Sequence, residues 1–258
     1  MNNIAAVAAV VIKEMYRRKD FYVLLILTVL ITLMLGSVSF YHDDKIVRYL
    51  KEACLLLIWI FSLVIAISVT ARQIPFEKEN RTIFPLLAKP ISRTELLLGK
   101  FVGCWLACGI ALVCFYLFFG VITQSREHDW QLVNYFQAIT LHWFMLGVVV
   151  ALALLGSLIF AAPSSNTTIC FVLAAGALLM GRHLNKVALQ MSEPGQSIVY
   201  SIYYVMPHLE IFDVRDLIIH NWPAIAWGPY SIALAYALVY SGLFLGAASL
   251  LFRRKALN

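Results

Sequence analysis

Long runs of hydrophobic residues, separated by short polar segments, follow one another along the whole chain. About 20 helical residues cross the roughly 30 Å hydrocarbon layer of a membrane, and most of these runs have that length with few charges. The pattern therefore predicts an all-α, polytopic membrane protein with six transmembrane helices. The predicted spans are 21–40, 53–71, 101–122, 141–162, 164–181 and 230–252.

The fifth predicted span is the shortest, and it follows the fourth after a turn-forming Pro-Ser-Ser-Asn sequence at 163–166. Such a cluster favours a tight helical hairpin. The segment 182–229, before the last span, is rich in tyrosine, tryptophan and proline. Aromatic side chains prefer the headgroup layer, so short helices at the outer membrane surface are expected there.

Residues 4–19, before the first span, have an amphipathic pattern. Apolar side chains recur at helical spacing, and the charged side chains fall on the opposite face. This predicts an N-terminal helix that lies in the membrane interface, and the alternative is a frayed basic flank. The apolar positions are Ile4, Ala8, Val11 and Met15, and the charged ones include Lys13, Glu14, Arg17 and Arg18.

Composition supports a single membrane domain over residues 1–258. The chain is 62% hydrophobic and 13% charged, and its mean hydropathy is +0.82. A soluble domain of this size could not bury so much apolar surface. The net charge of +6 could indicate nucleic acid, but the basic residues flank the apolar runs, so we expect them to anchor helices rather than bind a nucleic acid. The five cysteines lie in or beside apolar runs and indicate neither disulfides nor a metal site.

The distribution of basic residues predicts the orientation in the membrane. With the N-terminus inside, 13 of the 20 lysine and arginine residues fall in the inner segments. Because positive charges accumulate on the cytoplasmic side, both termini are expected to be cytoplasmic.

The sequence lacks the common motifs for nucleotide binding and hydrolysis. Gly99-Lys100 lacks the glycine and the Ser or Thr of a phosphate-binding loop, and no hydrolase or metalloprotease motif is present. His142 is predicted to open a span, the other histidines fall in loops or at span edges, and no predicted span has a charge at its centre. Neither a catalytic residue, a haem site nor an ion relay is therefore expected.

Small residues recur at four-residue spacing in two places, at Gly99, Gly103 and Ala107 and at Gly242 and Gly246. Such stripes let helix backbones approach closely. Packing within the chain and packing between subunits both fit this pattern.

The segment 72–100, between the second and third predicted spans, has the most specific pattern. A short charged helix carrying Glu77, Glu79 and Arg81 is predicted, followed by a break at Pro90. Ser92 is a candidate helix cap with Glu95 three residues later, the spacing of a capping box. A charged elbow of this kind could pass force to both spans. The alternative is an ordinary basic loop that holds topology.

This segment resembles the signature of the permease subunits of ABC-2 type transporters. The likeness lies in Glu77-x-Glu79-x-Arg81-Thr82, in the sequence at 86–93, which includes Arg93, and in Leu98-Gly99-Lys100. The resemblance implies a type V exporter-like permease fold and a coupling helix over 76–84. The contacts with a separate ATPase subunit would then come from Phe76, Glu77, Glu79, Arg81 and Thr82. Pro90, Ser92, Arg93 and Glu95 would form the elbow and helix cap.

The resemblance also implies partners and a location. ATP and Mg would be bound by the ATPase subunits, with no cofactor in this chain, and a second copy or a similar permease would complete the complex in the plasma (bacterial inner) membrane. The uncharged spans favour a lipidic or amphipathic cargo, and export is the expected direction. The alternatives are a membrane subunit that anchors or regulates an assembly without transport, and a membrane-embedded enzyme.

Overall fold

In a computed structural model, the described parts of the chain form a bundle of helices. The structure describes residues 3–17, 44–79, 91–127 and 131–254, together with positions 22, 26, 29, 30 and 33. The helices are α1 (Asn3–Arg17), α2 (Asp44–Ala71), α3 (Gln73–Glu79), α4 (Arg93–Glu127), α5 (Leu132–Ile159), α6 (Pro163–Gln190), α7 (Gly195–Val205), α8 (Arg215–Ile219) and α9 (Trp227–Arg254). A 3-10 turn at Leu209–Phe212 lies between α7 and α8.

Four helical stretches in the described residues are long and apolar enough to cross a membrane: Lys51–Glu77, Arg93–Thr123, Leu132–Ile159 and Trp227–Arg254. They confirm that the chain is helical and membrane-embedded. The apolar part of α6, Pro163–Leu179, is shorter, and the first predicted span, 21–40, lies almost wholly outside the described residues. The count of six spans stays a prediction.

Several of the described helices extend further than the hydropathy pattern indicates. α5 begins at Leu132, well before residue 141, and α6 continues as one helix to Gln190, well past residue 181. The predicted outer segment therefore begins inside α6. Polar residues in these extensions, among them Asn134 and Gln137, lower the local hydropathy without ending the helix, because the fold supplies hydrogen-bond partners for them.

The helices run alternately between two ends of the bundle. At the elbow end α2 and α9 finish and α4 begins, and at the far end α4 finishes and α5 begins. α5 lies at the centre, packed against α2, α4, α6 and α9. Met145, Leu146 and Val149 on α5 are completely buried.

α4 and α5 approach closely through a reciprocal tryptophan contact. The indole rings of Trp105 and Trp143 stack with centroids 4.6 Å apart. Each Nε1 donates to the main-chain oxygen of the other tryptophan at 2.9 Å. Trp143 lies against Gly109, and a Cβ built on Gly109 would lie 2.6 Å from Nε1 of Trp143. Trp105 lies against Gly147, and a Cβ built there would lie 3.0 Å from Nε1 of Trp105. A Cβ at position 109 would therefore displace Trp143, and one at position 147 would make a tight contact with Trp105.

α1 packs along the first turns of α4 through the glycine stripe. A Cβ on Gly99 would lie 2.6 Å from the Cβ of Val7, and a Cβ on Gly103 would lie 2.7 Å from the Cβ of Val11. Val11 is 2% exposed. This stripe is thus used within the chain, whereas no described residue lies within 4 Å of a Cβ built on Gly242 or Gly246. A location of α1 in the membrane interface stays a prediction.

Gly103→Leu is expected to displace α1 from α4 and to lower the free energy of unfolding by about 1–2 kcal/mol, because overpacking at a tight contact forces the helices apart. Gly246→Leu is the matched control and should have little effect. Thermal unfolding in detergent measures the difference. Equal melting temperatures for the two variants would contradict the α1–α4 packing.

Candidate functional site

The elbow joins three helices at one end of the bundle. α3 follows α2 after the single residue Arg72, and the amide of Phe76 donates to the Arg72 oxygen at 3.0 Å. Because the turn is so short and is hydrogen-bonded, α3 is fixed to the end of α2.

A buried lysine ties α3 to the next helix. The Nζ of Lys100, in the second turn of α4, lies 2.7 Å from Oε1 of Glu77 and 3.2 Å from Oε1 of Gln73. The Lys100 side chain is 2% exposed and that of Glu77 is 19% exposed. Little water reaches the pair, so its electrostatic interaction is poorly screened. α3 is therefore connected to α2 by the chain and to α4 by an ion pair.

The other face of α3 carries side chains that are exposed in the described part of the chain. Phe76 is 49% exposed, and Arg72 and Glu79 are also exposed. Among the predicted coupling residues, Phe76 and Glu79 are thus exposed, while Glu77 points inward to Lys100. Arg81, Thr82 and Pro90 lie outside the described residues.

The start of α4 has a reciprocal cap. The amide of Ser92 donates to Oε2 of Glu95 at 2.7 Å, and the amide of Glu95 donates to Oγ of Ser92 at 3.1 Å. These are the two hydrogen bonds of a capping box, which satisfy amides at the helix start.

Arg93 connects this cap to the end of α9. Its Nη1 donates to the main-chain oxygen of Phe252 at 2.7 Å, and the guanidinium lies over the Phe252 ring at 5.7 Å from the centroid. Thr94 and Ser249 are also in hydrogen-bond contact through their hydroxyls, at 3.1 Å. The elbow end therefore joins α2, α3, α4 and α9.

A buried polar cluster surrounds His142, which was expected only to open a span. Because α5 begins at Leu132, His142 lies inside the helix and is completely buried. Its Nε2 lies 2.9 Å from Oγ of Ser62, and its ring stacks on Trp59 with centroids 4.4 Å apart. Its Nδ1 lies 3.4 Å from the Tyr116 hydroxyl. Sequence reasoning missed this link between α2, α4 and α5.

The cluster continues to the far end through Arg215. The guanidinium lies over the Trp59 ring, 5.4 Å from its centroid. Two hydrogen bonds of 2.8 Å join Arg215 to the carboxylate of Asp213, and they raise the pKa of the guanidinium above its usual value. The contacts of Arg215 with Asp213 and Trp59 position the start of α8 on α2.

Two amide side chains of α5 hold the segment that precedes α9. Gln137 is completely buried; its Nε2 donates to the Ile225 oxygen at 2.8 Å and its Oε1 accepts from the Ile225 amide at 2.9 Å. Nδ2 of Asn134 donates to the Trp222 oxygen at 2.9 Å. These bonds satisfy main-chain groups where the chain has no helix.

Cavities open on the described part of the bundle, and two of them are lined mainly by apolar side chains. The larger, about 550 Å³, is bounded by α5, α6 and α9 and is closed at one side by residues 201–209. Its walls are almost entirely apolar and include Val149, Leu173, Met206 and Phe244. The smaller, about 300 Å³, lies between α4 and α5 at the far end.

The described residues contain no group of three or more His, Cys, Asp or Glu side chains that could hold a metal ion. A comparison with curated proteins gave no match. The family model for ABC-2 family transporter proteins matches residues 5–257. The chain therefore belongs to the ABC-2 transporter family, as the resemblance in its elbow segment indicated.

Proposed function

We propose that this chain is the permease subunit of an ATP-driven transporter and that a separate ATPase subunit acts on the elbow. The observation that carries the proposal is the ion pair of Lys100 with Glu77, which connects a short helix with one exposed face to the base of a membrane-spanning helix. Family membership supports the same function, because the membrane subunits of this family are generally transport components without catalysis.

Movement of α3 would reach three spans. It passes to α2 through the turn at Arg72, to α4 through Lys100, and from α4 to α9 through Arg93. An ATPase that closes on binding ATP would favour one arrangement of these helices, and release would favour the other. Both termini are cytoplasmic in this proposal, which places the elbow on the same side as the ATPase.

The cargo we propose is lipidic or amphipathic, and the direction is export. The apolar cavity of about 550 Å³ has the walls that such a cargo needs. One bundle offers little room for a complete path, so a second copy or a similar permease is proposed to form the other side.

Glu79→Lys is expected to weaken the ATPase contact, because it reverses a charge on the exposed face of α3 and leaves the buried pair intact. Tagged chain is purified from host membranes, the co-purifying subunits are identified, and cargo-stimulated ATP hydrolysis is measured. Stimulation should fall about tenfold, the loss expected when one charged contact of an interface is reversed.

Glu52→Lys, an exposed charge reversal at the far end of α2, is the control and should keep wild-type stimulation. Wild-type stimulation of Glu79→Lys would show that α3 is not the docking helix. If no ATPase purifies with the wild-type chain, the transport proposal fails, and a subunit that anchors or regulates an assembly becomes the better interpretation.

A further inference from the structure

His142 is a buried titratable group that the elbow mechanism does not use. It lies on α5 and is completely buried. Its ring contacts α2 through Ser62 and Trp59 and contacts α4 through Tyr116. One imidazole therefore joins three membrane-spanning helices, and its partners determine both where its proton lies and what the link does.

The hydrogen bonds of Ser62 fix the proton position. The Ser62 hydroxyl has one hydrogen, which it donates to the Trp59 main-chain oxygen at 2.9 Å. Oγ of Ser62 therefore accepts in its contact with His142, 2.9 Å from Nε2, so Nε2 carries the proton. Nδ1 is then the acceptor for the Tyr116 hydroxyl, at 3.4 Å.

The other protonation states of His142 each leave a buried group unsatisfied. With a proton on Nδ1, the Tyr116 oxygen would have to accept, and the described residues offer its hydrogen no other acceptor. A charged ring would also need a carboxylate, and none of the described carboxylates is hydrogen-bonded to it. A buried charge without such a partner is costly. Besides Tyr116, the titratable groups that act on the ring are Asp213 and Arg215, whose charges are opposite.

We propose that His142 is a positioning residue, which in its neutral Nε2–H form holds α2, α4 and α5 in one setting. Ser62 lies nine residues before the end of α2 at Ala71, and Tyr116 lies sixteen residues after Lys100 on α4. These separations are about 14 Å and about 24 Å along the helix axes at 1.5 Å per residue. α2 and α4 are therefore tied at two levels, at the elbow and deeper in the bundle.

The two links affect how movement of the elbow would spread. Helices joined at one level can pivot about that contact, but helices joined at two levels must move together. Hydrogen-bond networks between rigid helices are one carrier of such coupling. Displacement of α3 would thus reach the far half of α2, α4 and α5 without changing the spacing of these helices. This consequence rests on the proposed function, whereas the proton position and the link do not.

The first test reads the proton position by 15N NMR of the histidine-labelled chain in detergent, with His142→Phe identifying the resonances. The wild type should have a protonated Nε2 and an unprotonated Nδ1. Tyr116→Phe should keep this form, because Ser62 still accepts the proton. Ser62→Ala should raise the ratio of the Nδ1–H form to the Nε2–H form about tenfold, the change that the loss of one buried hydrogen bond supplies.

Ser68→Ala is the matched control for Ser62→Ala. Ser68 lies on the same helix and donates to the main-chain oxygen of Val64 at 2.6 Å, as Ser62 does to that of Trp59. Its removal should leave the resonances of His142 unchanged.

The second test measures the setting of α2 against α5 by electron–electron resonance between two spin labels. The labels are placed on cysteines at Glu52 and Leu132, which are exposed and each lie ten residues before one side of the contact between Ser62 and His142. The exposed Cys114 is replaced by serine. The wild type and Ser68→Ala should give one narrow distance distribution. His142→Phe and Ser62→Ala should both give a broader one, and His142→Gln, which keeps a donor and an acceptor, should restore the narrow one.

Several outcomes would overturn the proposal. A proton on Nδ1 or on both nitrogens of the wild-type ring would contradict the assignment, as would an unchanged form in Ser62→Ala. Narrow distributions in both His142→Phe and Ser62→Ala would show that apolar packing alone sets α2 against α5. Neither test requires an ATPase, so a failure of the transport proposal would leave both results standing.

Discussion

Lys100→Met is expected to abolish cargo-stimulated ATP hydrolysis in the assembled complex and to lower the free energy of unfolding by about 3 kcal/mol. The substitution removes the ammonium that lies 2.7 Å from Glu77 and leaves that carboxylate beside an apolar side chain. Loss of one partner from a buried pair is costly, and the 19% exposure of Glu77 places the cost at the low end of the range. Thermal unfolding and ATPase stimulation measure the two effects separately.

The double variant Lys100→Met with Glu77→Gln distinguishes a loss of ATPase stimulation caused by the missing ion pair from one caused by lower stability. Replacing both partners of a buried pair is often nearly neutral for stability, so the double variant should regain most of the lost stability while stimulation stays absent. Lys100→Arg keeps the charge and should retain part of the stimulation. If Lys100→Met inserts into the membrane and is stimulated like the wild type, movement does not pass from α3 to α4 through this pair.

The elbow shows what local sequence patterns can predict. The hydrogen bonds between Ser92 and Glu95 join residues three positions apart, so spacing alone indicates them. The pair of Glu77 and Lys100 joins residues separated by 23 positions, and the sequence between them contains Pro85 and Pro90. Lys100 was counted as one of the basic residues that hold topology, and its burial depends on how α3 folds back on α4.

Hydropathy indicated the apolar stretches of α2, α4, α5 and α9 but missed polar residues in the helices whose hydrogen-bond partners the fold supplies. His142 was placed at the opening of a span because Asn134 and Gln137 precede it and lower the hydropathy. In the structure all three are helical and buried. The partner of His142 is Ser62, 80 residues away, and that of Gln137 is Ile225, 88 residues away. A window of neighbouring residues contains no information on such contacts.

The glycine stripes show that local spacing does not identify the packing partner of a helix either. Gly99 and Gly103 have the same spacing as Gly242 and Gly246, yet the first pair touches α1 and the second contacts none of the residues that the structure describes. Spacing predicts that a helix can be approached closely. Which surface approaches it follows from the tertiary fold.

The second large effect is expected from Gln137→Met, which should release the segment before α9 from α5. Methionine has a similar shape but cannot pair with the Ile225 amide and oxygen, which Gln137 contacts at 2.9 Å and 2.8 Å. Two main-chain groups would then lose their partners, at a cost of about 2–4 kcal/mol. Hydrogen–deuterium exchange should show faster exchange at residues 221–226, with the centre of α5 still protected.

Gln190→Met, the same substitution at an exposed position at the end of α6, is the matched control and should leave both exchange and melting temperature unchanged. Local release also has a functional consequence under the proposed mechanism, because the segment would no longer follow α5 when the spans move. Stimulated ATP hydrolysis should then persist while cargo transport falls, since the elbow is intact. Wild-type protection of residues 221–226 in Gln137→Met would show that Asn134 and the surrounding apolar contacts hold the segment without the glutamine.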